Sequence, residues 1–309
     1  GRAALGVPRP VAFRVIRAGV SVRGMDVPEV FDDRRCGLGE GPHYDERTGR
    51  VWWVDVFARL VLWRHAVSGE RGELATPAHV GAAVPRRTGG LVACLPDGVW
   101  AVDGAGAARA LARYPAGAAG APALRSNDAK ADPRGRLWVG TMAYAQTPGA
   151  GTLYRFEGGA LEPVVPDVTV SNGLAWSPDA STMYYVDTTT RRIDAFAYDV
   201  QTGALGGRRT FAEVTAGFPD GLCVDASGGV WVALWDGSAV QRYAADGSLD
   251  RMIKMPTSRV TSCAFAGDRF QYLVITTAAR GLADDPAAGL TYAYEPGDVV
   301  GMPVDRYAG

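Results

Sequence analysis

A strand-like run recurs six times along the chain, each time after a turn, and no other feature restricts the fold as tightly. The runs are Arg50-Val51-Trp52-Trp53-Val54-Asp55, Gly98-Val99-Trp100-Ala101-Val102-Asp103, Arg136-Leu137-Trp138-Val139-Gly140, Thr182-Met183-Tyr184-Tyr185-Val186-Asp187, Gly229-Val230-Trp231-Val232-Ala233 and Gln271-Tyr272-Leu273-Val274-Ile275. Taking Val51, Val99, Leu137, Met183, Val230 and Tyr272 as equivalent gives spacings of 48, 38, 46, 47 and 42 residues. A period of this length belongs to propeller blades. A second alternating run follows most markers, for example Leu60-Val61-Leu62-Trp63-Arg64 and Ile193-Asp194-Ala195-Phe196-Ala197-Tyr198. Turns such as Pro96-Asp97-Gly98 and Asp225-Ala226-Ser227-Gly228 supply the residues hairpins need. A blade cannot bury both its faces alone, so the repeat predicts one all-β domain over residues 25–309, a six-bladed β-propeller of four-stranded blades. This overrides the two domains that 309 residues alone suggest.

Composition removes several other classes. A formal net charge of −1, with acids and bases intermixed, argues against a nucleic-acid partner or a membrane-surface patch. No apolar run reaches the roughly 20 residues of a spanning helix. Cys36, Cys94, Cys223 and Cys263 are far apart and form no metal-binding spacing, so they are expected to be buried free thiols of a cytoplasmic protein. Residues 1–24 carry five arginines and no acid, and Pro8, Arg9, Arg14 and Arg17 interrupt any signal-peptide apolar core. They are expected to be an N-terminal extension that is poorly ordered or foreign to the natural chain, although a transit peptide shares this composition.

Polar residues recur in the repeat register. Glu40 lies 11 residues before Val51, Asn127 lies 10 before Leu137, Asn172 lies 11 before Met183, Asp220 lies 10 before Val230 and Ser262 lies 10 before Tyr272. Rotation about a propeller axis carries equivalent positions onto one another, so these side chains are predicted to ring one mouth of the central channel. Asn or Asp before Gly is a common turn residue, and one such residue would mean little. Four in register point instead to a site. Two carboxylates with no lysine at the same register would repel, and a bound cation resolves that conflict. Oxygen ligands favour Ca²⁺, Mg²⁺ or Mn²⁺, while Zn²⁺ is tolerated by carboxylates but finds no help from His43, His65 or His79.

Gly39-Glu40-Gly41-Pro42, the run from Asn127 through Asp132-Pro133-Arg134-Gly135 to Gly140-Thr141-Met142, Ser171-Asn172-Gly173-Leu174-Ala175-Trp176-Ser177 and Pro219-Asp220-Gly221-Leu222 together resemble the senescence marker protein/gluconolactonase/luciferin-regenerating enzyme family. The resemblance runs from about Cys36 to Ala293. It implies a six-bladed propeller with one divalent metal that hydrolyses sugar lactones and related esters. Carried over by motif, Glu40, Asn172 and Asp220 would be the metal ligands, Asn127 would touch water or substrate, and Arg125 would hold substrate hydroxyls. Asp128 would lie beside the site. Family members often carry substrate-contacting acids after Gly-Thr-Met-Ala, whereas Gly140-Thr141-Met142-Ala143 here continues into Tyr144. That departure predicts a substrate less polar than gluconolactone, or differently hydroxylated, with Tyr144 among its contacts.

The expected chemistry is attack of metal-activated water on a lactone, with Asp220 as candidate general base. No Gly-x-Ser-x-Gly elbow or phosphate loop offers another mechanism. Arg86-Arg87 reads as a solvated turn, and the tryptophans of the markers read as core. The rival readings are a calcium-binding or interaction propeller with a structural metal, and a related metal-dependent esterase or phosphotriesterase using the same mouth.

Overall fold

Alternating apolar runs broken by Gly, Asp and Pro turns fold here into six antiparallel sheets, each of four strands. The computed structural model describes residues 27–309, so the extension expected over residues 1–24 lies outside the described residues. Blade one runs through Gly39–Asp45, Arg50–Asp55, Leu60–His65 and Arg71–Ala75, and blades two to five repeat this meander. Their innermost strands are Ala82–Pro85, Leu124–Ala131, Ser171–Trp176 and Phe218–Val224. Blade six takes Val260–Ala266, Tyr272–Thr277 and Thr291–Tyr294 from the C-terminal part of the chain, and its outer strand is Glu29–Asp32. Val30 pairs with Tyr292, so the two ends of the domain close the ring in one sheet. Radial stacking leaves each blade only short edge strands, one of them turned into the channel.

The core lies between blades. Trp138 of blade three is fully buried against Leu174, Trp176, Met183 and Tyr185 of blade four. Trp231 of blade five packs its edge on Phe265 of blade six, with ring centroids 5.8 Å apart. Trp53 meets Phe31 of the closing strand. A buried aromatic of this kind contributes about 3–5 kcal/mol relative to alanine. Trp52, Trp53, Trp138 and Trp231 are therefore core, as the repeat predicts, while Trp100 is only partly buried. All four cysteines are buried and free, and Cys223 and Cys263 stand 3.7 Å apart on neighbouring inner strands.

One marker is corrected. Gly98–Val102 is the third strand of blade two, and the strand equivalent to the other markers is Leu91–Leu95. With Leu91 in place of Val99 the two uneven spacings, 48 and 38, become 40 and 46.

The C-terminal segment crosses the ring at the ends of the inner strands remote from Glu40. Gly301 bridges Asp225, Tyr307 bridges Arg86, and the Tyr307 ring stacks on Phe156. Between this strap and the strand ends lies a cavity bordered by Lys130, Trp176, Cys223, Phe265, Met302 and Asp305. Among the described residues no helix is long and apolar enough to cross a membrane.

Candidate functional site

Each innermost strand is hydrogen-bonded to its blade on one side only, so its other edge faces the channel. In five blades this strand breaks register with its partner near its beginning. The breaks fall between Glu40 and His43, Ser126 and Ala129, Ser171 and Leu174, Pro219 and Leu222, and Val260 and Ser262. Bulges of this kind add a residue and re-aim the side chains around it. They carry the five residues found in register, Glu40, Asn127, Asn172, Asp220 and Ser262, or stand directly beside them. Blade two has an unbroken register from Ala82 to Pro85 and contributes no polar side chain there.

Glycine makes this crowding feasible. Gly41 has φ +55°, a left-handed conformation that follows the Glu40 position at little cost only without a side chain. A Cβ on Gly173 would come within 2.5 Å of the Asp220 carbonyl oxygen, so the inner strands of blades four and five approach as closely as they do because that atom is missing.

The structure brings Glu40, Asn127, Asp128, Asn172 and Asp220 together in buried surroundings. Asn172 Nδ2 donates to Asp220 Oδ1 and, at 3.0 Å, to Thr188 Oγ1. Its Oδ1 is buried with no hydrogen-bond partner. Burial pushes both the Glu40 and Asp220 carboxyls well above their usual range, and the charge of Asp128 pushes both further. Asp220 also raises Glu40, while Arg125 works in the opposite sense on both. Asn127 is fixed at each end: its Oδ1 accepts from Arg125 Nη1 at 2.7 Å, and its Nδ2 donates to the Ser171 carbonyl at 2.9 Å. Lys130 Nζ, further along the same strand, donates to the Leu222 carbonyl and opposes the rise in the Asp128 carboxyl that burial causes.

Above this floor stands an aromatic and basic lip. Arg125 is 6% exposed, and its guanidinium carbon lies 5.8 Å from the Phe57 ring centroid. Arg280 approaches the same ring to 4.5 Å. The His79 ring meets Phe57 edge-on at 5.1 Å, and His79 Nδ1 is 2.8 Å from the Tyr144 hydroxyl. Burial, then Arg59 and Arg125, hold the His79 imidazolium below its ordinary range. Tyr144 is 41% exposed. Arg125, Asn127 and Tyr144, the residues expected to contact substrate, thus share one side of the mouth, linked through Phe57 and His79. Sequence reasoning missed Phe57, Arg59 and Arg280, and considered His79 only as a zinc ligand. These four lie in loops after or between strands, where no repeat position marks them.

The SMP-30/Gluconolactonase/LRE-like region matches residues 38–279 of this chain. The protein belongs to that family. Among its relatives, regucalcin of Danio rerio is 34% identical over 283 residues, covering 88% of this chain and 95% of that protein. Pentonolactonase XacC of Haloferax volcanii is 36% identical over 265 residues, 83% of this chain and 86% of that protein. The crystal structure of a calcium-binding protein, regucalcin, from Agrobacterium tumefaciens is similar with a TM-score of 0.84 at 30% identity, covering 91% of this chain and 97% of that one.

For an SMP-30/gluconolactonase family member the donor chemistry at the mouth is what matters. Among the described residues no three His, Cys, Asp or Glu side chains are grouped to hold an ion. The candidate set therefore depends on an amide oxygen as well as acids. Asn172 Oδ1 is a buried acceptor without a donor, beside two carboxylates that burial and the charge of Asp128 drive towards their neutral forms. Neither Glu40 nor Asp220 forms a salt bridge with any described residue. Such an oxygen-only, dianionic set fits a hard divalent cation and offers zinc no nitrogen or sulfur. His43 is buried with Nε2 unpartnered, and burial followed by Lys130 lowers its pKa to about 3.

Proposed function

We propose that this protein is a metal-dependent lactonase, with Glu40, Asn172 and Asp220 holding one divalent cation, Ca²⁺, Mg²⁺ or Mn²⁺, and a sugar lactone or related cyclic ester as substrate. The observation that carries this reading is the buried Glu40–Asp220 pair with the partnerless Asn172 Oδ1, open to a lip that bears Arg125 and Asn127. A pentonolactonase at 36% identity supports the reaction class.

The cation supplies Lewis acidity for the lactone carbonyl oxygen and acidifies water. Asp220 is the candidate to receive the proton of the attacking water. Its Oδ1 is engaged by Asn172, which leaves Oδ2 for that contact. Asn127 is held rigidly by Arg125 and Ser171, so its amide is set in place before substrate arrives and orients water or the substrate carbonyl. Arg125 uses only Nη1 in bonds to the protein, which leaves Nε and Nη2 for substrate oxygens. Tyr144 offers a neutral hydroxyl on the same side and selects a substrate other than gluconolactone. Burial of the floor groups limits competing water and strengthens each polar contact.

Single-turnover hydrolysis in ¹⁸O-water tests the scheme. Label appearing directly in the released acid is expected, and label appearing first in a protein side chain would refute direct attack. The Agrobacterium relative's description as calcium-binding favours a second reading, an interaction propeller with a structural ion. In that case chelation would lower the melting temperature sharply, and no lactone would be turned over at any metal content.

A further inference from the structure

Among the described residues no salt bridge balances the positive charge of the lip, although Glu40 and Asp220 favour the charged form of Arg125. Some arginines elsewhere are paired, such as Arg136 with Asp132, Arg242 with Asp225 and Arg259 with Asp236, while Arg50 and Arg191 each stand over an aromatic ring. Arg59, Arg125 and Arg280 make no salt bridge with any described residue. Two of them, Arg125 and Arg280, stand over the same Phe57 ring at 5.8 and 4.5 Å. Like charges gathered on one ring repel unless an anion lies against them. Arg59 stands two residues after Phe57 in the same turn between Arg50–Asp55 and Leu60–His65, and after burial its charge is among those that act on His79 and Tyr144.

The charge balance of the whole mouth runs the same way. A divalent cation, when bound, would neutralise Glu40 and Asp220, and Lys130 offsets Asp128. The three guanidiniums of the lip remain. Tyr144 and His79, joined by their 2.8 Å contact, complete this side of the mouth without adding a negative charge.

We propose that Arg59, Arg125 and Arg280 form an anion subsite on the Phe57 platform, and that the substrate is a lactone bearing a carboxylate or a phosphate on its ring substituent. The guanidinium fork suits either oxyanion. The substrate assignment and this charge balance rest on the lactonase reading above; the convergence of Arg125 and Arg280 on the Phe57 ring does not.

The test uses the full-length, metal-loaded protein and 1,4-lactones that share one ring and end in a hydroxymethyl group, a carboxylate or a phosphate ester. At low salt an anionic lactone is expected to exceed its neutral parent in kcat/KM by about tenfold or more, the contribution of one charge-assisted contact. That advantage should shrink at high salt. It should also fall by at least about threefold in Arg280→Gln and in Arg59→Gln, both changes at exposed positions. A preference confined to the carboxylate or to the phosphate identifies the oxyanion. Equal or better turnover of the neutral lactone, or an advantage unchanged in both variants, overturns the proposal. Should no lactone be hydrolysed, the lactonase reading fails, and calorimetry with inorganic phosphate on the metal-stripped protein decides the subsite. Phosphate binding weakened in Arg280→Gln sustains it, and no binding, or equal binding in the variant, overturns it.

Discussion

Glu40 and Asp220 stand on blades one and five, yet burial and the Asp128 charge raise the cost of ionising both, and a bound cation would make both charges tolerable. Glu40→Ala and Asp220→Ala are therefore expected to lose stoichiometric metal while the propeller stays folded, because its core lies between blades. Elemental analysis of each purified variant checks this, and full occupancy in both would rule out the site. Asn127 is tied to Arg125 and Ser171 and not to the carboxylates. Asn127→Ala should lower kcat on the order of 10²-fold, the scale of one lost oriented donor, with a much smaller change in metal affinity. Arg125→Ala should act chiefly on KM, as expected of a contact equal in ground and transition states. Steady-state kinetics beside metal titration separates the two. The polar floor was legible in the sequence because each of its members occupies one repeat position. The lip was not, since Phe57, His79 and Arg280 come from loops whose meeting depends on how blades one, two and six are arranged in space.

At the scale of elements, the turn between the first and second strands does more than reverse the chain. Asp132 accepts from Trp138 Nε1, Arg136 Nε and the Tyr198 hydroxyl, and Asp225 accepts from Trp231 Nε1 and Arg242 Nε. Both carboxylates are fully buried, and each clamps its turn to the strand that follows. Replacing Asp225 with Ala leaves the Trp231 indole without its acceptor and Arg242 with only Asp250 and Ser227, at a cost of about 1–3 kcal/mol. Burial alone would raise the Asp225 carboxyl, but Arg242, Ser227 and Trp231 together hold it below its ordinary value. A carboxyl so depressed contributes stability that is complete above its unfolded pKa of about 4 and is lost as pH falls through the lower folded value. Acid titration of unfolding should therefore show wild type losing its margin over Asp225→Asn below about pH 4. A margin that instead widened as pH fell would contradict the clamp. A turn between second and third strands misled the repeat reading in blade two. Pro96-Asp97-Gly98 followed by Val99-Trp100 imitates a marker, whereas the true second strand, Leu91–Leu95, is buried on both faces and shows no alternation. The bulges that aim the site side chains had no reading in the sequence either, because a bulge is a relation between two strands.

For the whole molecule, closure depends on pairs far apart in the chain. Glu29 meets Ala293 in the last blade, and Tyr307 returns to Arg86 beneath the second. Local pattern carries no signal for either contact, so the repeat count was readable and the closing strand and strap were not. Glu29–Asp32 lies beyond the N-terminal extension, so a chain starting at Met25 should keep the wild-type melting temperature. A large drop in calorimetry would show that residues 1–24 contribute to the fold. Loss of Glu29–Asp32 as well should open the ring and destabilise the protein strongly, since it leaves the last sheet one strand short. The ring is joined to its proposed chemistry at one mouth, where inner strands bring Glu40, Asn172 and Asp220 together and a cation held there would supply the Lewis acidity for lactone hydrolysis. A panel of aldonolactones and simple lactones, assayed on the exhaustively chelated protein and again after restoring Ca²⁺, Mg²⁺, Mn²⁺ or Zn²⁺, tests it most directly. Hydrolysis of at least one lactone, abolished by chelation and recovered with a divalent ion in wild type but not in Glu40→Ala, is the predicted result. Turnover that survives chelation unchanged, or that Glu40→Ala recovers in full, would contradict it.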